Sequence, residues 1–376
     1  MKKQVALALG LAVISGSALA SKARLQALGE NVDGSQYIMD ARNIFLNPAQ
    51  ANYFKDMVTV EAGDTDNNED LAASPNAEGG FLRASGNMVY GAFFGHEDQT
   101  LNDIRTNAGG TVAELADQNT WDFFVAGDAG VQWGANLSYM SYKNEQATND
   151  IESDAVRVNV GVISGDTEVF LKTSLVETAE EDTSVDLEVK SRYALGVSHN
   201  IDGGTIIFNY SSFEAEESET KNETWKNTMF NVGYGKVSKL NDSSSFNWKV
   251  NYMNIETENE DFDASTAGGD QKAYALSAVM GLESMVKEWL TLRASIGQNI
   301  VSEFEDDNGD KRSLADSTIV AAGASFIFGD FQIDGMIGNT TQAAGGATTT
   351  GESTSTGNGT LRTDTLLSRV SATYRF

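Results

Sequence analysis

The sequence contains no cysteine and only two prolines, Pro48 and Pro75, in 376 residues. Without cysteine there is no disulfide framework, no thiolate metal site and no cysteine nucleophile. With so little proline, almost every backbone N–H can join a hydrogen-bonded ladder. Basic residues are also scarce, with 26 Lys and Arg against 54 Asp and Glu and a net charge of −28. That balance excludes nucleic acid as a partner, because phosphate binding needs clustered Lys and Arg. It equally excludes a basic amphipathic membrane-surface protein. Long apolar runs are missing too. A mean hydropathy of −0.30 rules out a polytopic helical membrane protein, which needs runs of about 20 apolar residues. A β-barrel escapes that exclusion, since only alternate residues of each strand must be apolar.

One short apolar run does exist, Val5 to Ile14, behind Lys2 and Lys3 and ahead of Ala18-Leu19-Ala20. A basic start, a short apolar stretch and an A-x-A site are the parts of a secretory signal peptide. Residues 1–20 are therefore expected to be removed at about Ala20, and no cysteine follows to make a lipoprotein.

From residue 57 onward the dominant pattern is alternation. Val131, Trp133, Ala135, Leu137 and Tyr139 interleave with Gln132, Gly134, Asn136 and Ser138. Phe246, Trp248, Val250 and Tyr252 interleave in the same way with Asn247, Lys249 and Asn251. A period of two marks a strand with one apolar side. Sixteen such segments can be counted, although fourteen would also fit. Every second connection is short, such as Gly165-Asp166, Ile201-Asp202-Gly203 and Gly329-Asp330, while the others are longer and polar. Short turns at one end and long loops at the other are the layout of an outer-membrane barrel, with both chain ends on the short-turn, periplasmic side. The predicted fold is an all-β transmembrane antiparallel barrel over residues 57–376, in the cell outer membrane among lipid and lipopolysaccharide. The last strand ends on Phe376, and this terminal aromatic resembles the signal that the barrel-assembly machinery reads in outer-membrane proteins.

If lipid meets the apolar face, the polar face lines the interior. Arg157, Lys172, Lys190, Arg192, Lys249, Arg293, Asp122 and Asp334 fall on it and are the expected pore-lining residues. A barrel of this size is too wide for side chains alone to fill. The eight longer connections hold 32 acidic and 6 basic residues, nearly the whole net charge. An acidic rim concentrates cations over about 8 Å at physiological salt. Asp64, Asp66, Asn68 and Asp70 space their oxygens as a calcium loop does, but without the glycine and bidentate glutamate that complete one. The two histidines, His96 at a strand's outer end and His199 beside a turn, read as exposed side chains. No nucleophile elbow or metal-binding histidine motif occurs, so neither an enzyme nor a cofactor is expected.

Residues 21–56 do not alternate. Ser21 to Leu28 favours a short helix ending at Gly29, and Asn47-Pro48-Ala49 leads into the first strand. That lead-in resembles the long-chain fatty-acid transporter group, in which the N-terminal segment sits inside a 14-stranded barrel. The resemblance implies that Ile38, Met39, Ile44, Phe45 and Leu46 could pack in the lumen; a periplasmic lead-in is the other reading. The Ser21–Leu28 start, the Asn-Ile-Phe-Leu-Asn-Pro run and Glu78-Gly-Gly-Phe81 resemble the porin-like major outer-membrane proteins of predatory deltaproteobacteria. General trimeric porins match in strand number only, because the third loop here is short; a homo-oligomer is left open. The leading expectation is a passive channel for small hydrophilic solutes or ions. The alternatives are a hydrophobic-substrate transporter plugged by its N-terminus, and a non-transporting surface or structural protein.

Overall fold

The computed structural model describes residues 21–62, 77–98, 120–145, 150–181, 185–217, 224–260, 270–306, 308–313, 318–339 and 366–376. The candidate calcium loop lies outside the described residues, as do residues 1–20 and 99–119.

Burial is inverted relative to a water-soluble domain. Large apolar side chains such as Val60, Phe81, Trp121, Leu137, Val160, Ile296 and Val370 are exposed, whereas Asp122, Asn159, Arg293, Ser325 and Asp334 are buried. The inversion follows directly from the alternation, since a closed sheet turns one set of side chains outward and the other into the ring. Among the described residues no helix is long and apolar enough to cross a membrane.

The short strands come first: β1 Met57–Ala62, β2 Glu78–Ser85, β3 Met88–Phe94 and β4 Trp121–Asp128. Nine long ones follow: β5 Gln132–Glu145, β6 Asp150–Ser164, β7 Thr167–Glu181, β8 Val185–Ile201, β9 Gly204–Glu217, β10 Thr224–Asn241, β11 Ser244–Glu260, β12 Gln271–Lys287 and β13 Leu290–Glu305. A short β14, Lys311–Ser313, precedes β15 Thr318–Phe328, β16 Phe331–Asn339 and β17 Leu366–Arg375. Each spanning strand pairs antiparallel with its neighbours, and β1 closes the ring by pairing with both β2 and β17. Leaving aside β14, which only hydrogen-bonds the outer end of β13, the barrel has sixteen staves. The hairpin turns use residues that accept positive φ: Asp202 and Gly203 have φ of 48° and 76°, and Gly165 and Gly329 behave alike.

Strands β5–β13 run on into segments that the sequence pattern assigns to loops. The β5–β6 ladder continues to Glu145 opposite Asp150, and β10 has 18 residues, where about 9–11 suffice to cross a bilayer. Above the apolar band the outer face turns polar, so the apolar-outward alternation stops although backbone pairing does not. The outer face there carries ion pairs such as Lys226–Glu258 and Lys311–Glu303. Aromatic rings bracket the apolar band. Trp121 with Phe123, Tyr193 with Tyr210, and Tyr252 with Tyr274 lie towards the loops; Tyr234 with Trp248, Trp289 with Phe326, and Tyr374 with Phe376 lie towards the turns. Such belts mark the two edges of the apolar layer.

Candidate functional site

Residues 21–56 lie within the ring. Helix α1, Lys22–Ala27, is capped by Ser21, whose Oγ accepts from the Arg24 N–H at 2.9 Å, and it ends at Gly29 with φ 82°. Two 3-10 turns follow. Asp40 caps Ala41–Phe45, and Asn47 caps Pro48–Asn52, which has proline at its start. Most of this segment is buried, including Leu25, Ile38, Ile44, Phe45 and Phe54, while Met39 is exposed. It meets the wall around the ring: α1 packs on β13, β15, β16 and β17, and the second 3-10 turn on β3–β6. Tyr37 lies over Gly235 of β10, and Gln36 accepts from Asn209 of β9. Close approach at β5 and β6 depends on glycine. A Cβ on Gly134 would strike the Pro48 carbonyl, and one on Gly161 the Asn47 side chain.

Ion pairs fix the segment at two corners, and amide hydrogen bonds to a carboxylate fix it at a third. In the first, Arg24 reaches Asp40 at 2.8 Å and Glu283 of β12 at 3.0 Å; Glu283 also takes Arg293, which reaches Asp334 at 3.1 Å. Burial penalises the Arg24 charge, but the flanking carboxylates outweigh it and hold its pKa above the ordinary value. In the second corner, Arg42 contacts Glu78 of β2 and lies 3.9 Å from Glu61 of β1 and 3.7 Å from Asp33. Lys22 joins it, 2.6 Å from Glu78. Burial and the adjacent Arg42 pull the Lys22 amine down to about 8, against the pull of Glu61. The third lies near the turns, where Gln50 and Asn47 donate to Glu168 of β7 at 2.8 and 3.2 Å.

His96 joins this segment to the wall. Its ring stacks on Phe45 with centroids 3.8 Å apart, its Nε2 is 3.2 Å from Asp33, and its Nδ1 is 3.6 Å from Asp122 of β4. The expectation of an exposed His96 is therefore overturned, because the N-terminal segment covers it. His199 is exposed, as expected, and bonds Thr167 at 2.9 Å.

The expected pore-lining residues separate into groups. Arg157, Lys172, Arg192 and Asp122 line one cavity of about 40 Å³ on the loop side of Phe45, together with His96, Asp98 and Asn159. Their charges are matched: Arg157 pairs with Glu177 at 2.6 Å, Arg192 with Asp98 at 2.8 Å, and Lys172 with Asp98 at 3.7 Å. Burial opposes the Asp98 charge, yet Lys172 and Arg192 prevail and hold its pKa well below the carboxylate range. Lys249 is committed to Glu30 of the N-terminal segment at 2.7 Å, and Arg293 with Asp334 belongs to the Arg24 corner. Lys190 is not on the inner wall. The register of β8 slips between Val189 and Ser191, and this bulge turns Lys190 outward, 2.7 Å from Glu188 and 3.1 Å from Glu216. A second, larger cavity of about 420 Å³ opens near the turns, lined by Asn52, Lys55, Asn87, Asp128 and Gln132. Among the described residues no His, Asp or Glu group is arranged to hold a metal.

Sequence reasoning missed Arg24, Asp33, Asp40, Arg42 and Glu283. The available signal was that four of these five charges lie within a segment that the resemblance placed in the lumen, where each would require a partner.

No protein-family model matches the chain, and no curated protein does. Among solved structures, a bacterial polysaccharide outer membrane secretin is 8% identical with a TM-score of 0.46, covering 85% of this chain and 97% of its own. The toluene transporter TbuX of Ralstonia pickettii is 12% identical with a TM-score of 0.39, covering 93% of this chain and 97% of its own. A porin is 11% identical with a TM-score of 0.39, covering 86% of this chain and 99% of its own. At these values the likenesses carry no functional argument; the sixteen-stave barrel rests on the chain's own strand pairing.

Proposed function

We propose that the protein is an outer-membrane channel for small hydrophilic solutes, closed by residues 21–56 in the conformation described above. The observation that carries this reading is the lumen wall. In the two cavities beside the N-terminal segment the wall offers mainly charged and amide side chains, and the outside of the ring offers apolar ones. A hydrophilic solute loses little of its hydration in such a passage. The matched charges of Arg157, Lys172 and Arg192 favour weak selectivity over a strong anion preference. On this reading the long-loop end faces the exterior, the short turns face the periplasm, and the signal peptide is removed at about Ala20. Lipopolysaccharide surrounds the loop end, and Phe376 serves recognition by the barrel-assembly machinery.

A second reading, transport of a hydrophobic substrate, draws on the buried apolar cluster of Ala179, Leu187, Phe213, Ala215 and Trp225 in the upper wall. The polar cavities on both sides of the N-terminal segment weigh against it. The test is planar-bilayer recording of the full-length mature chain and of Arg24→Ala, which loosens the N-terminal segment. Discrete conductance steps in potassium chloride, larger or more frequent in the variant, are expected. Silence from both proteins under all conditions rejects the channel.

A further inference from the structure

The two cavities lie along the same pair of staves, β4 and β5. Asp122, Asn136 and Ser138 line the first, and Asp128 and Gln132 line the second. On β4 the two aspartates are separated by about 20 Å of strand at 3.4 Å per residue. Between the cavities the wall turns apolar, with Val89 and Phe93 of β3 and Phe124 and Ala126 of β4. Ala41, Ile44, Phe45, Ala51 and Phe54 of the N-terminal segment pack there. Phe45, Phe93 and Phe124 meet edge-to-face with centroids 5.3–5.7 Å apart. The molecule thus holds two polar chambers divided by one apolar partition. His96 closes the partition from the loop side, stacked on Phe45 and held between Asp33 and Asp122.

We propose that the two cavities are the ends of the solute path, and that His96 is a proton-sensitive latch holding residues 41–54 across it. This inference rests on the channel reading above. A charged imidazole offers one N–H to each carboxylate, whereas a neutral ring has a single N–H and turns a lone pair towards the other. Losing the proton therefore sets a carboxylate of the movable segment or of the wall against that lone pair. The remaining charges around the ring are committed. Arg42 lies 3.7 Å from Asp33 and over the face of Phe45. Lys172 of β7 and Arg192 of β8 serve Asp98, next to His96 on its own segment. Arg157 of β6 serves Glu177. Asn136 of β5 donates to Asp122 at 3.1 Å, and Thr120 donates to the His96 carbonyl.

Burial favours neutral His96, but the flanking Asp122 and Asp33 carboxylates outweigh it and raise its pKa above the ordinary 6.5. The latch is accordingly complete below 6.5 and is lost as pH climbs through the raised value. Lys22, drawn down to about 8, works in the opposite direction at alkaline pH, so its contribution must be separated by a His96 variant.

Because the chain has no cysteine, a spin label at Tyr53→Cys, an exposed position at the end of the second 3-10 turn, reports on this segment alone. Label mobility and single-channel conductance are read on the full-length mature chain in lipid between pH 5.5 and 9.5. Both should be low at acid pH and rise with pH. The ratio of released to latched molecules should grow about tenfold per pH unit until the raised pKa is passed. His96→Gln should remove that rise from both readouts, and Asp33→Asn, should His96→Gln fail to fold, should move it towards 6.5. A label equally immobile across the range overturns the latch, as does a wild-type rise that persists in His96→Gln. A label that mobilises with pH in a protein that never conducts supports the latch and rejects the channel instead.

Discussion

Arg24→Ala tests whether buried ion pairs hold the N-terminal segment in the barrel. Arg24 is buried and serves three acceptors: Asp40 at 2.8 Å, Glu283 through two nitrogens at 3.0 and 3.2 Å, and the Met39 carbonyl at 3.0 Å. Removing it leaves the fully buried Asp40 carboxylate without a countercharge, holding only the Arg42 backbone N–H at 2.9 Å. Breaking one side of a buried pair costs about 3–5 kcal/mol. At 1.4 kcal/mol per decade, that is about a 10²–10⁴-fold rise in the undocked population. The barrel should survive, since Arg293 still bridges Glu283 and Asp334. The readout is amide exchange at Leu25 and Leu28, whose N–H groups bond the Ser21 and Arg24 carbonyls at 3.1 and 3.2 Å. Glu283→Gln should accelerate the same amides by less, because an amide oxygen still accepts from Arg24. The double variant should show less than the sum of the two single effects. If exchange at these amides in Arg24→Ala stays within about threefold of wild type, a smaller change than any broken buried pair gives, the segment is not held by this corner.

Gly134→Val places a side chain into the Pro48 carbonyl. It should destabilise docking by about 1–3 kcal/mol, seen as greater mobility of the Tyr53 label, and an unchanged spectrum would show that the contact has slack. Arg192→Gln should alter the reversal potential in a salt gradient while Lys190→Gln leaves it alone, because only Arg192 lines a cavity. Equal shifts in both variants would place the two side chains in one passage. Deleting Phe376, whose ring lies 4.8 Å from the Arg83 guanidinium and whose N–H bonds the Asp56 carbonyl at 3.1 Å, should lower the amount of folded barrel recovered from cell envelopes. Wild-type recovery would remove the proposed recognition role.

Much of the architecture could be read from the chain alone. Each of the sixteen alternating segments corresponds to a stave, and Gly165, Asp202, Gly203 and Gly329 mark turns where positive φ is required. This was legible because a strand between lipid and water must alternate, and a two-residue turn must contain residues that tolerate left-handed backbone. Both are local constraints, written within ten residues of where they act.

The lumen was decided by the tertiary structure. Arg24 meets Glu283 across 259 positions of sequence, and His96 is buried only because Asp33 and Phe45 fold back on it. Local pattern cannot say which charges meet across a ring, since that depends on stagger and on where a non-repetitive segment comes to rest. Lys190 shows the same limit on a smaller scale: one bulge reverses its face, and nothing in the alternation records the slip. Hydropathy along the chain therefore determined the wall of this protein, and long-range pairing of buried charge determined what the wall contains.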